Sequence, residues 1–112
     1  MLKKENFILP RFITITNTSD IGPGERDIFE VEDLYIAVFN VGGIYYAIED
    51  ICTHDDGPLV EGDLDGFEIE CPRHGARFDV RSGAVRQMPA VVPVKWFPVR
   101  VEGDAVQVGL DD

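Results

Sequence analysis

Residues 52–74 read CTHDDGPLVEGDLDGFEIECPRH. The chain owns two cysteines and two histidines in 112 residues, and all four stand in this segment, as Cys52-x-His54 and Cys71-x-x-His74. The run between the pairs is rich in glycine and acid until Phe67-Glu-Ile-Glu70, which alternates and leads straight into Cys71. Alternation of apolar and polar residues is the period of a half-buried strand. Ala76-Arg-Phe-Asp-Val80 repeats it on the far side, closed by Arg81-Ser82-Gly83. The second pair is therefore expected on a loop between two short strands.

The same period runs outward. Phe12-Ile-Thr-Ile-Thr16 alternates, and Leu34–Val41 is β-branched and aromatic. Gly42-Gly43 reads as a tight turn into Ile44–Ile48, a hairpin signal. Val94–Val101, Gly103-Asp104 and Ala105–Leu110 predict a terminal hairpin. No segment carries a helical period, and seven prolines and eleven glycines punctuate the chain. The expected fold is all-β: antiparallel sheets in a sandwich or small barrel. At 12.5 kDa the chain is read as one domain, 1–112. Residues 51–90 are expected to form a loop-rich, ligand-bearing lobe on a β framework.

Composition excludes several classes. No apolar run approaches the roughly 18 residues of a membrane helix. MLKKENFILPRF is interrupted by Glu5, Asn6 and Pro10 and does not read as a signal peptide. Two cysteines are too few for a disulfide scaffold. The expected location is the cytoplasm. A net charge of −11 argues against nucleic acid or an anionic membrane as partner. The charge is uneven: 27–72 holds thirteen acids and no Lys or Arg, whereas Arg73, Arg77, Arg81, Arg86, Lys95 and Arg100 meet only Asp79. Most of this is a solvated surface, and the acidic excess would steer a basic protein partner.

Thiolates and imidazoles together favour zinc, copper or iron–sulfur chemistry. Mononuclear zinc usually draws on C-x₂₋₄-C and H-x₃₋₅-H clusters. Here each cluster mixes one Cys with one His, which suits two adjacent metal atoms, one taking both thiolates and the other both imidazoles. A [2Fe–2S] centre with two histidines on one iron has that form. A zinc-bound interaction module is the colourless alternative. Asp55-Asp56-Gly57 is read as a turn, since no EF-hand spacing follows.

C-T-H, sixteen residues, then C-P-R-H-G resembles the Rieske motif C-x-H-x(15–17)-C-x-x-H. Over roughly residues 28 to 110 the chain is similar to the soluble Rieske-type ferredoxins of bacterial ring-hydroxylating oxygenase systems. The resemblance implies a Rieske-type fold and one [2Fe–2S] Rieske cluster. Cys52 and Cys71 would bind the inner iron, and His54 and His74 the outer, solvent-facing one. Met88-Pro89-Ala90 matches the family's proline-bearing loop over the cluster.

Rieske proteins of cytochrome bc complexes carry an extra, disulfide-bonded cysteine in each ligand loop, where this chain has Gly57 and Arg73. They also carry a Ser and a Tyr whose hydroxyls bond sulfur, where this chain has Ala76 and Phe78. Neither side chain can donate. Donors to sulfur raise the potential, so the resemblance implies a value near the low end of roughly −150 to +300 mV.

No histidine remains for a mononuclear oxygenase iron, and there is no Gly-rich dinucleotide fingerprint. The expectation is a one-electron carrier without a catalytic site. It would be a monomer passing electrons from an NAD(P)H-dependent flavin reductase to a terminal oxygenase. The alternative is the small Rieske subunit of a larger redox enzyme, such as nitrite reductase.

Overall fold

The computed structural model describes residues 11–53 and 57–110. Residues 1–10, 54–56 and 111–112 lie outside that description. With them lie the readings made above of the N-terminal segment, His54, Asp55 and Asp56.

Eleven strands form among the described residues. They are β1 (Arg11–Asn17), β2 (Arg26–Val31), β3 (Leu34–Val41), β4 (Ile44–Glu49), β5 (Leu64–Asp65), β6 (Glu68–Glu70), β7 (Arg77–Asp79), β8 (Val85–Gln87), β9 (Trp96–Phe97), β10 (Val99–Glu102) and β11 (Ala105–Leu110). They make three antiparallel sheets, ordered β1-β11-β10, β2-β3-β4-β9 and β5-β6-β7-β8. The fold is all-β, as expected. One short 3-10 turn, Thr18–Asp20, interrupts the strands, and no described helix is long and apolar enough to cross a membrane.

The middle sheet organises the molecule through β3. Five consecutive residues, Ile36 to Asn40, are buried. Successive side chains of a strand point to opposite faces. Ile36 and Val38 accordingly join Ala47, Phe97, Val108 and Leu110 in one core, against the β1-β11-β10 sheet. Ala37 and Phe39 join Ile48, Ile69, Phe78 and Val94 in the other, under the β5-β6-β7-β8 sheet. A strand covered on both sides reads as a continuous apolar run, which is how Leu34–Val41 appears in the sequence.

Two hairpins of the middle sheet use consecutive positive-φ residues. Gly42 (φ 65) and Gly43 (φ 97) join β3 to β4. Between β2 and β3 the same work falls to Glu32 (φ 49) and Asp33 (φ 71), which lack glycine's freedom. The sequence reading passed over β2 because that turn carries no glycine.

The segment Val94–Val101, expected as one strand, is two. β9 pairs with β4 in the middle sheet, while β10 pairs with β11 in the outer one. Pro98 stands between them, lacking the N–H that a continuous ladder needs, and its carbonyl accepts from Gly109 N at 2.8 Å.

Charge uneven along the sequence is matched across the small sheet. Arg77 reaches Glu70 at 3.0 Å, Asp65 at 3.4 Å and Glu68 at 3.5 Å, and Arg86 reaches Glu68 at 3.4 Å. The small sheet meets the middle one through aromatic contacts. The Arg81 guanidinium lies 3.9 Å from the centre of the Phe67 ring, which meets Tyr46 edge-on at 5.9 Å.

Candidate metal centre

Cys52 stands three residues beyond the end of β4, and Cys71 directly follows β6. Both are fully buried and belong to the same core cluster, with Leu59, Ala76, Phe78 and Ala90. His74 is exposed. The structure thus brings Cys52 and Cys71 into one dry core and sets His74 at the surface of the second loop. The fourth candidate, His54, lies outside the described residues.

Each loop is folded the same way. The Cys52 amide donates to Gly57 O at 2.6 Å and the Cys71 amide to Ala76 O at 2.7 Å. Each bond spans five residues and turns the chain back at the cysteine. Gly75 makes the second turn affordable: it holds φ 79, and its amide donates to Cys71 O at 3.1 Å. Gly62, after the first loop, is held tighter. A Cβ there would sit 1.7 Å from Glu70 O, so only glycine fits against the strand that delivers Cys71.

The proline-bearing segment is bonded to both loops. Thr53 Oγ1 donates to Val92 O at 2.5 Å, and Gln87 Nε2 donates to Gly75 O at 3.0 Å. The Met88–Pro89 peptide is cis and Ala90 is buried. Met88 (75% exposed), Val91 (78%) and Val92 (54%) stand out into solvent. Exposed apolar residues grouped at a site mark contact with a partner. The sequence identified Pro89 by resemblance but not the two bonds that hold its segment. Neither has a local signature, since Thr53 and Val92 lie 39 residues apart.

Another residue the sequence reading missed is Asp50, 8% exposed. Its Oδ1 accepts from the Leu59 amide at 2.8 Å and the Val60 amide at 2.7 Å. Asp and Asn usually bond the backbone one to three residues away. A bond nine and ten residues ahead cannot be read from spacing.

The donor set fits an iron–sulfur centre. Two buried cysteines in one core, with a histidine exposed on the second loop, are the soft donors such a centre takes. Ala76 and Phe78, both fully buried beside the cysteines, bring no hydroxyl to a sulfur.

Comparison with known proteins follows the same line. Residues 11–98 match the family model of the Rieske [2Fe-2S] domain. The ferredoxin component of biphenyl 2,3-dioxygenase from Rhodococcus jostii (strain RHA1) is 43% identical over 97 residues, covering 87% of this chain and 91% of the relative. Among solved structures, the ferredoxin of carbazole 1,9a-dioxygenase from Nocardioides aromaticivorans IC177 superposes with a TM-score of 0.83 at 34% identity, over 87% of this chain and 95% of the other. A chain from the complex of reduced oxygenase and oxidized ferredoxin in carbazole 1,9a-dioxygenase matches with a TM-score of 0.82 at 39% identity, over 88% and 92%.

Proposed function

Since the chain belongs to the Rieske [2Fe–2S] family, we propose that it is a free one-electron carrier, the ferredoxin component of a ring-hydroxylating dioxygenase system. It would take electrons from an NAD(P)H-dependent flavin reductase and hand them to a terminal oxygenase. One observation carries this reading: near-full-length identity to a protein named as the ferredoxin component of such a system. The same likeness favours a separate carrier over a small subunit of a larger enzyme, and we read that carrier as monomeric and cytoplasmic.

When bound, a [2Fe–2S] cluster supplies one-electron chemistry. Cys52 and Cys71 would hold its inner iron, and His54 and His74 its outer one. The buried cysteines keep one side dry, and exposed His74 presents the other side to partners. The rim formed by Met88, Val91 and Val92 would exclude water from a brief encounter. Electron-transfer contacts are small and short-lived, so a modest apolar rim suffices.

The test is anaerobic purification, a visible spectrum, and EPR after dithionite reduction. A brown protein with the rhombic signal of a His-ligated cluster, supporting NADH-driven turnover by a biphenyl oxygenase and its reductase, is the expected result. A colourless protein with stoichiometric zinc would overturn the carrier reading.

A further inference from the structure

The two ligand loops are closed at their necks by different means. The second is closed by a sheet: β6 and β7 pair directly beneath it, with Glu70 opposite Arg77. The first shows no such support: among the described residues, no strand forms between the end of β4 at Glu49 and the start of β5 at Leu64. In that gap the Asp50 side chain bridges the neck. Its backbone amide is fixed to Tyr35 O of β3 at 2.7 Å. Its Oδ1 takes the amides of Leu59 and Val60, at 2.8 and 2.7 Å, from the far side of the loop. Leu59 is itself fully buried in the core that holds both cysteines.

We propose that Asp50 is the positioning residue of the first ligand loop, its carboxylate replacing the missing strand pairing at the loop's neck so that Cys52 is held ready against Cys71. The proposal rests on the cluster reading above for what the loop holds, but not for the latch itself. Both bonds end on one oxygen. Asparagine also owns an Oδ1, so Asp50→Asn keeps both acceptor bonds. Asp50→Ala removes them, and Asp50→Ser falls short of the two amides. A buried amide without its acceptor carries a desolvation cost, so the neck opens when the acceptor is lost.

The experiment compares the iron-loaded parent with these three variants and with Val108→Ala. Val108 lies in the other core, away from the ligand loops, and its truncation serves as a general destabiliser. Three readouts are taken: the rate of iron loss to a ferrous chelator, the visible circular dichroism spectrum, and hydrogen exchange of the Leu59 and Val60 amides. Partners that orient metal ligands typically matter by about 10- to 100-fold in metal retention. Asp50→Ala and Asp50→Ser should therefore lose iron about tenfold faster or more, with a changed spectrum and unprotected Leu59 and Val60 amides. Asp50→Asn should stay close to the parent in all three, and Val108→Ala should keep the parent spectrum and amide protection despite a lower melting temperature. Should Asp50→Ala not fold, Asp50→Ser decides. The proposal is overturned if Asp50→Ser retains iron and amide protection like the parent, if Asp50→Asn fails as Asp50→Ser does, or if Val108→Ala fails as they do. A parent that takes up no iron would sink the cluster reading instead, and amide exchange would still decide for or against the latch.

Discussion

At the scale of single residues, Ala76 and Phe78 are where the electronic character of the proposed centre can be tested. Both are fully buried in the core shared by the cysteines, and each needs one oxygen atom to become a donor. Ala76→Ser and Phe78→Tyr should each raise the midpoint potential. A hydrogen bond of about 1 kcal/mol corresponds to roughly 40 mV for one electron. Redox titration of the two variants against the parent checks this, and an unchanged potential would mean that the added hydroxyls point away from sulfur. Cys71→Ala should abolish cluster binding outright, read as loss of visible absorption. The four candidate ligands were legible because the chain has no other cysteine or histidine, so spacing alone isolates them. Asp50 was not legible, because its partners lie nine and ten residues ahead and aspartate is common here.

Turns and close approaches limit what the elements can tolerate. Asp33 holds φ 71 between β2 and β3, a conformation that costs an L-residue about 1–2 kcal/mol. Asp33→Gly should raise stability by about 0.5–1 kcal/mol, seen as a melting temperature higher by a few degrees. Gly62→Ala works in the opposite direction. Its Cβ would collide with Glu70 O, so a loss of about 1–3 kcal/mol is expected, with faster iron release. The turn after β7 adds a pH dependence. Hydrogen bonds from Arg81, at 2.8 and 3.1 Å, hold the Asp79 carboxyl below the ordinary carboxylate range. A depressed folded pKa stabilises in full above the unfolded value, about 3.9, and that stability is lost as pH falls through the folded value. Arg81→Met should therefore lower stability at neutral pH while flattening the acid limb, measured by urea unfolding at several pH values. Strand period gave β3, β4 and β11 from the sequence. It could not give β2, whose turn lacks glycine, nor the sheet change at Pro98. A proline beside aromatic residues looks the same in an edge strand as between two sheets.

Charge acts over the whole molecule. The net value is −11, yet Arg77 and Arg86 tie up Asp65, Glu68 and Glu70 within the small sheet. Less acid is therefore available for steering than the sequence count suggests. Electron delivery to a basic partner should still slow as ionic strength rises from about 0.01 to 0.15 M, by about tenfold, as the screening length shrinks. Stopped-flow reduction across that range measures it, and a flat profile would mean that the apolar rim alone governs encounter. β3 has one further consequence. Its residues alternate between two cores that share no other strand so fully, so each position answers to a different set of neighbours. A substitution that suits one side leaves the other unrelieved, and the register cannot slip to compensate. Residues 36–39 should then be the least editable stretch of the chain, and a library of all single substitutions, sorted for folded protein, should show its narrowest tolerance there.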